Sequence, residues 1–238
     1  MNDGDLIFNT RIDTAGLKSG LQGAGGEILK MSTQAAAKIG EISLAAAGAA
    51  TAAIAALSKS AIECYGDYEQ LIGGVETLFK DSADVIKGYS EEAFRTVGMS
   101  ANEYMETVTG FAASLISSMG NDTEAAAEKA NTALSDMSDN ANKMGSDLES
   151  IKNAYSGFSK QNYTMLDNLK IGYGGTKSEM ERLLADAEKL QKSKGIDVSY
   201  DISSFADIVD AIHVIQTEMD ITGTTAKEAS STIQGSIS

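Results

Sequence analysis

One cysteine, one histidine and one glycine-rich turn are the residues of this chain whose types could carry chemistry. Cys64 stands alone, so no intrachain disulfide is available, and no histidine lies near it to draw off its proton. A lone thiol fits a reducing compartment such as a bacterial cytoplasm. His213 has no second histidine with which to share a metal, and no carboxylates converge on it at a known ligand spacing. It sits at the edge of an apolar helical face and reads as a satisfied flanking side chain. The turn Gly172-Tyr173-Gly174-Gly175 superficially suggests a phosphate loop. The pattern G-x-x-x-x-G-K-[ST] fails, because Thr176 rather than glycine precedes Lys177 and no apolar strand leads in. These residues give little to build a catalytic site from, so no enzyme, cofactor or metal is expected.

The elements that hold these residues read as helices. The 238 residues contain no proline, and proline is what a helix interior excludes. There is no tryptophan and aromatics are 6%, so Ala, Met, Leu and Ile must do the packing. The fold expected is mainly α, with long helices and helical hairpins, coiled-coil-like seams, an elongated form and at most one or two short strands. Residues 6–13 alternate Leu6, Phe8, Thr10 and Ile12 and suit a strand or extended arm. A helical pattern then runs from near Thr14, weakened at its start by Gly16, Gly20, Gly23, Gly25 and Gly26.

Residues 42–58 carry no charge between Glu41 and Lys59, and alanine dominates them. Three readings stay open there: close helix–helix contact through small residues, a segment able to enter a membrane, or a buried core helix. The pattern implies three domains: an arm (1–13), an Ala/Gly-rich helix (14–64) and an acidic helical core region (65–238).

Residues 66–119 read as two or three helices. Ser90 opens an acidic turn, and Ser100 with Glu103 forms a capping box ahead of Tyr104, Val108, Phe111, Leu115 and Met119. The strongest periodicity comes next. Ala130, Leu134, Met137, Ala141, Met144, Leu148, Ile151, Tyr155 and Phe158 alternate spacings of four and three, which makes a heptad seam. Ser146 and Glu149 form a second box within it, where the helix bends or restarts. Residues 121–150 hold seven acids (Asp122, Glu124, Glu128, Asp136, Asp139, Asp147, Glu149) against Lys129 and Lys143, which disfavours close packing of acidic faces. Self-association and an internal hairpin both satisfy the seam.

Tyr163–Lys170 reads as a short helix with Met165, Leu166 and Leu169 on one side. Beyond the glycine turn, Thr176 and Glu179 form a third box before Met180, Leu183, Leu184, Ala187 and Leu190. Ile196, Val198, Tyr200 and Ile202 alternate, giving a short strand or an extended linker. Ser204 starts a helix with Phe205, Ile208, Val209, Ile212, Ile215 and Met219 on one face, and Thr225 with Glu228 forms the last box.

Residues 1–60 carry five bases (Arg11, Lys18, Lys30, Lys38, Lys59) and five acids (Asp3, Asp5, Asp13, Glu27, Glu41), so the formal excess of −15 lies wholly in 61–238. A surface this acidic repels phosphate, and direct nucleic-acid binding is not expected.

Three stretches resemble the tail tape-measure proteins of long-tailed bacteriophages: residues 67–86 (DYEQLIGGVETLFKDSADVI), 153–191, and 201–235 (DISSFADIVDAIHVIQTEMDITGTTAKEASSTIQG). They stand in that family's order and span most of the chain from Asp67 onward. The resemblance implies a virion component from a phage or prophage, structural rather than enzymatic, that templates tail-tube assembly and sets tail length. It implies further copies of itself, tail-tube subunits, tail assembly chaperones and tail-tip proteins as partners. Such proteins occupy the tail lumen, pass through the host cytoplasm during assembly, and meet the host membrane during DNA ejection. Members usually continue for hundreds of residues, so this chain is expected to be the N-terminal and core part of something longer. Because helix length is proportional to residue count, a stretched helical protein can act as a ruler, and 238 helical residues would reach at most roughly 360 Å. The alternative is a membrane-active or secreted helical effector outside any virion, which the charge-free run 42–58 favours.

Overall fold

Alanine-rich helices with few large anchors need a shared centre, and one helix of this chain provides it. The computed structural model describes residues 66–235. The expected arm (1–13) and Ala/Gly-rich helix (14–64), including the run 42–58 and Cys64, lie outside the described residues. The chain divides into two units, Met1–Gly66 and Asp67–Ser238, and the described helices belong to the second.

A helical stretch over 66–79 passes through a 3-10 turn, Lys80–Ser82, into the first of seven further helices among the described residues. These are α1 (Ala83–Thr96), α2 (Ala101–Ser118), α3 (Thr123–Met144), α4 (Leu148–Phe158), α5 (Lys177–Ser193), α6 (Phe205–Glu218) and α7 (Thr224–Gly235). A second 3-10 turn, Leu166–Leu169, lies between α4 and α5. The mainly α expectation holds: no strand occurs among the described residues.

The centre is α3, which packs against α1, α2, α4, α6 and α7 and both 3-10 turns, while α5 packs on α6. Its residues 133–140 are buried all round except for half-buried Ser135. Leu134 and Met137 fill one side, with Ala126, Ala127, Ala130 and Ala133 letting neighbours approach. The surrounding core includes Phe79, Ile86, Met99, Tyr104, Leu115, Ile151, Tyr155 and Phe158, all fully or almost fully buried. Phe111 of α2 meets Phe205 of α6 edge-on at 5.5 Å, an arrangement that suits the ring quadrupoles.

Several boundaries lie where the local residues put them. Ser100 caps α2 by accepting from Glu103 N at 3.2 Å, and Ser204 caps α6 by accepting from Asp207 N at 3.3 Å. Gly145 ends α3 in the left-handed region, φ 60°, which a side chain would strain.

Others differ. Ser90 does not begin a helix: it is buried within α1, its hydroxyl donating to Lys87 O at 2.7 Å. Asp147, not Ser146, caps α4, its carboxylate accepting from Ser150 N at 2.9 Å and Ser150 Oγ at 2.9 Å. Only Leu166–Leu169 of the 163–170 segment is helical, as a 3-10 turn. Residues 196–202 form no strand, because side chains occupy their backbone groups. Tyr200 N donates to Glu188 Oε1 at 2.8 Å, Asp201 N to Asp207 Oδ2 at 2.8 Å, and Ile202 O accepts from the Tyr163 hydroxyl at 2.9 Å.

Leu134→Ala should destabilise this unit by about 2–5 kcal/mol, the usual cost of a cavity at a fully enclosed aliphatic site. Urea unfolding followed by circular dichroism checks it, through a lower midpoint with an unchanged slope.

Candidate functional site

Two arrangements stand out: a corner at 162–182 and a polar stretch inside α3. The corner starts with Asn162, whose Oδ1 accepts from Thr164 N at 3.1 Å and Thr164 Oγ1 at 2.8 Å. The chain then passes through two positive-φ residues, Lys170 at 55° and Gly172 at 90°. Gly175 runs directly against Thr164. A Cβ there would overlap the Thr164 carbonyl oxygen and lie 3.2 Å from Asp167 Oδ1. Gly175 thus serves close backbone contact and Gly172 a left-handed turn.

Thr176 caps α5 by accepting from Glu179 N at 3.2 Å. Glu179 does not return to Thr176 N, as a full capping box would require. Its Oε2 accepts from Gly174 N at 3.0 Å and from Arg182 Nη2 at 2.6 Å. Arg182 also donates to Gly172 O at 2.8 Å, and its guanidinium lies 4.2 Å from the centre of the Tyr173 ring. The Tyr173 hydroxyl donates to Asp186 Oδ2 at 3.2 Å. Arg182 and the Gly174 amide hold the Glu179 carboxyl down at about 2, while partial burial and then Asp186 push the Tyr173 phenol up to about 12. The Glu179 contribution is therefore present above about 4.5 and lost as pH falls through about 2.

The second arrangement buries two acids of this region against groups of other chemistry, not against another acidic face. Asp136, Ser138, Asp139 and Asn140 are all buried in α3. Each has a partner supplied from elsewhere in the chain. Both Asp136 oxygens face His213 Nδ1, at 2.9 and 3.1 Å. Asp139 accepts from the first amides of α7, Gly223 N at 2.5 Å and Thr225 N at 2.8 Å. The cap of α7 thus comes from α3, not from a Thr225–Glu228 box. Ser138 Oγ donates to Val97 O at 2.6 Å, and Asn140 Nδ2 to Leu169 O at 3.0 Å. Lys129 of α3 pairs with Asp210 of α6 alongside.

Burial pushes the Asp136 carboxyl up to about 6, against the pull of His213, and the bond to Asp136 raises His213 above its ordinary value. Tyr155 and Gln216 are buried with side-chain polar atoms lacking a hydrogen-bond partner. A histidine alone in the sequence gave no sign of the carboxylate 77 residues away that fixes its ring.

Of the nine seam positions, Ala130, Leu134, Met137, Ile151, Tyr155 and Phe158 are buried, and Ala141, Met144 and Leu148 are partly buried. The first five lie in α3, and Leu148 to Phe158 in α4, with Gly145 and the Asp147 cap between. The seam is therefore two helices with a break, packed within this chain's own core.

Among the described residues no group of three or more His, Cys, Asp or Glu could hold a metal ion. Comparison with protein-family models, curated proteins and solved structures finds no match for this chain. Both arrangements bind segments of the chain to one another: they can fix geometry and transmit load.

Gly175→Ala should cost about 1–3 kcal/mol through forced displacement of the 162–167 backbone. Gly110→Ala, in open space on α2, should instead be neutral or stabilising by up to about 1 kcal/mol. Parallel urea titrations distinguish them. Asp139→Ala leaves the Gly223 and Thr225 amides without an acceptor and should cost about 1–3 kcal/mol. Hydrogen exchange should show α7 losing protection ahead of the other helices.

Proposed function

We propose that this chain is a structural segment of a phage tail tape-measure protein, which templates tail-tube assembly and sets tail length. The observation that carries this reading is the family-like text of 67–86, 153–191 and 201–235, in order. Its support from physical chemistry is of a different kind. The described unit is built only from helices and turns, and its polar groups are spent on joining segments to one another rather than on facing a substrate. The role is non-enzymatic and needs no cofactor.

In this reading the partners are further copies of the chain, tail-tube subunits, tail assembly chaperones and tail-tip proteins. Six of the nine seam side chains are already packed inside the chain, so copies would meet through other surfaces. The protein would lie in the tail lumen of the virion and in the host cytoplasm during assembly. A membrane stage during DNA ejection rests on the run 42–58. Among the described residues no helix is long and apolar enough to cross a membrane. The net charge of −15 would keep passing DNA from adhering.

Quantitative mass spectrometry of purified phage particles tests the reading by counting copies of the chain per tail. A few copies are expected. Hundreds would make it a tube or sheath component, and absence from intact virions would overturn the tail reading in favour of a membrane-active or secreted effector.

A further inference from the structure

We propose that the Asp136–His213 contact is a proton-operated latch between α3 and α6, tight while His213 keeps its proton and loosened when that proton leaves. The geometry gives the contact two unequal ends. Asp136 is fully buried and cannot reach water, whereas the His213 side chain is 39% exposed. Protons therefore enter and leave through the imidazole. Nδ1 lies within hydrogen-bond distance of both carboxylate oxygens, so the ring is held by one buried anion.

Four further groups bear on the pair. Asp139 and Lys129 stand on α3, Asp210 on α6 and Tyr155 on α4. Lys129 is tied to Asp210, which offsets both charges. Asp139 repels the Asp136 carboxylate, and the Tyr155 phenol, raised by burial, stays neutral. Once His213 loses its proton, Asp136 is left as a buried carboxylate held by a neutral N–H, with Asp139 still acting against it. A buried charge without a compensating partner is costly.

These charges fix the direction of the pH effect. Asp136 titrates at about 6 in the folded chain against an ordinary 3.8, and His213 lies above its ordinary 6.5. A raised folded value contributes stability below the unfolded value and loses it as pH rises through the folded one. Loss of the His213 proton therefore weakens the contact as pH rises above about 6.5, by up to about tenfold in equilibrium constant per pH unit, whereas ionisation of Asp136 supplies the anion that the contact needs, its value being raised by burial and not by His213. The carboxyls held low in the fold, Glu179, Asp147, Asp186 and Asp201, act in the opposite sense but below about 4.5, outside this window.

The sequence contains one histidine, so its ring signals in an NMR titration of the whole chain belong to His213 alone. The expected result is a midpoint above 6.5, with amide protection of α6 falling through the same pH range after correction for intrinsic exchange. His213→Gln keeps an N–H donor without a titratable charge, and should remove the pH dependence of α6 protection above about pH 6.5. A wild-type midpoint at or below 6.5, α6 protection indifferent to the titration, or an unchanged pH dependence in His213→Gln would overturn the latch. The wild-type measurement decides alone if the variant does not fold.

Discussion

Burying one polar stretch of helix on every side is the constraint on which the rest of this unit depends. Residues 133–140 of α3 carry two carboxylates, a carboxamide and a hydroxyl into the interior. An unpaired buried polar group costs more than a made hydrogen bond returns, and each of these side chains has at least one partner. The partners come from four places: His213 on α6, the leading amides of α7, the Val97 carbonyl after α1, and the Leu169 carbonyl before α5. Apolar packing brings these elements near α3. The polar contacts decide which residue of each lies against which residue of α3. A core of alanine and methionine alone tolerates sliding, since its surfaces are shallow and its side chains adaptable. The hydrogen bonds remove that freedom.

The corner at 162–182 solves a related problem with different means. There the chain turns from α4 towards α5 with Tyr163, Leu166, Leu169 and Ile171 buried in the core. Backbone contact at Gly175 sets how closely the two limbs approach, and the Glu179–Arg182–Tyr173 group braces the turn from outside. The brace is exposed, so its ionic part is screened and adds little stability. What holds the corner is the burial of Tyr163, Leu166, Leu169 and Ile171 together with the close backbone approach at Gly175. Since α5 packs on α6, the corner also bears on how α6 faces α3.

What could be read from sequence was local. The caps at Ser100, Thr176 and Ser204 involve partners three residues on, and all three are present. The face Phe205, Ile208, Val209, Ile212 and Ile215 is buried, with Met219 half out of the core. Where a distant group competed, sequence reading went astray. Thr225 and Glu228 have the spacing of a box, yet the α7 amides are satisfied by Asp139, 86 residues earlier. Of the two readings of 196–202, strand or extended linker, the second holds, because Glu188, Asp207 and Tyr163 take backbone groups there. The acid count of 121–150 spoke only of acidic faces avoiding one another, because a charge count says nothing of partners such as His213 and the α7 amides. His213 read as a satisfied side chain, and it is one, but its partner Asp136 could not be read from local spacing. The heptad spacing from Ala130 to Phe158 marked real burial but not continuity, since Gly145 in its left-handed conformation interrupts the helix without shifting the pattern.

The separation between α3 and its partners also governs when this unit can exist. A ribosome delivers Asp136 and Asp139 long before His213 and Thr225, by 77 and 86 residues respectively. Through that interval α1 to α4 can gather, but the central helix has carboxylates facing nothing. Local helices form within microseconds, whereas translation adds residues at about 5–20 per second. The nascent chain therefore waits seconds with its hub incomplete, and only the arrival of α6 and α7 closes it. Native structure in the described unit waits for its last two helices.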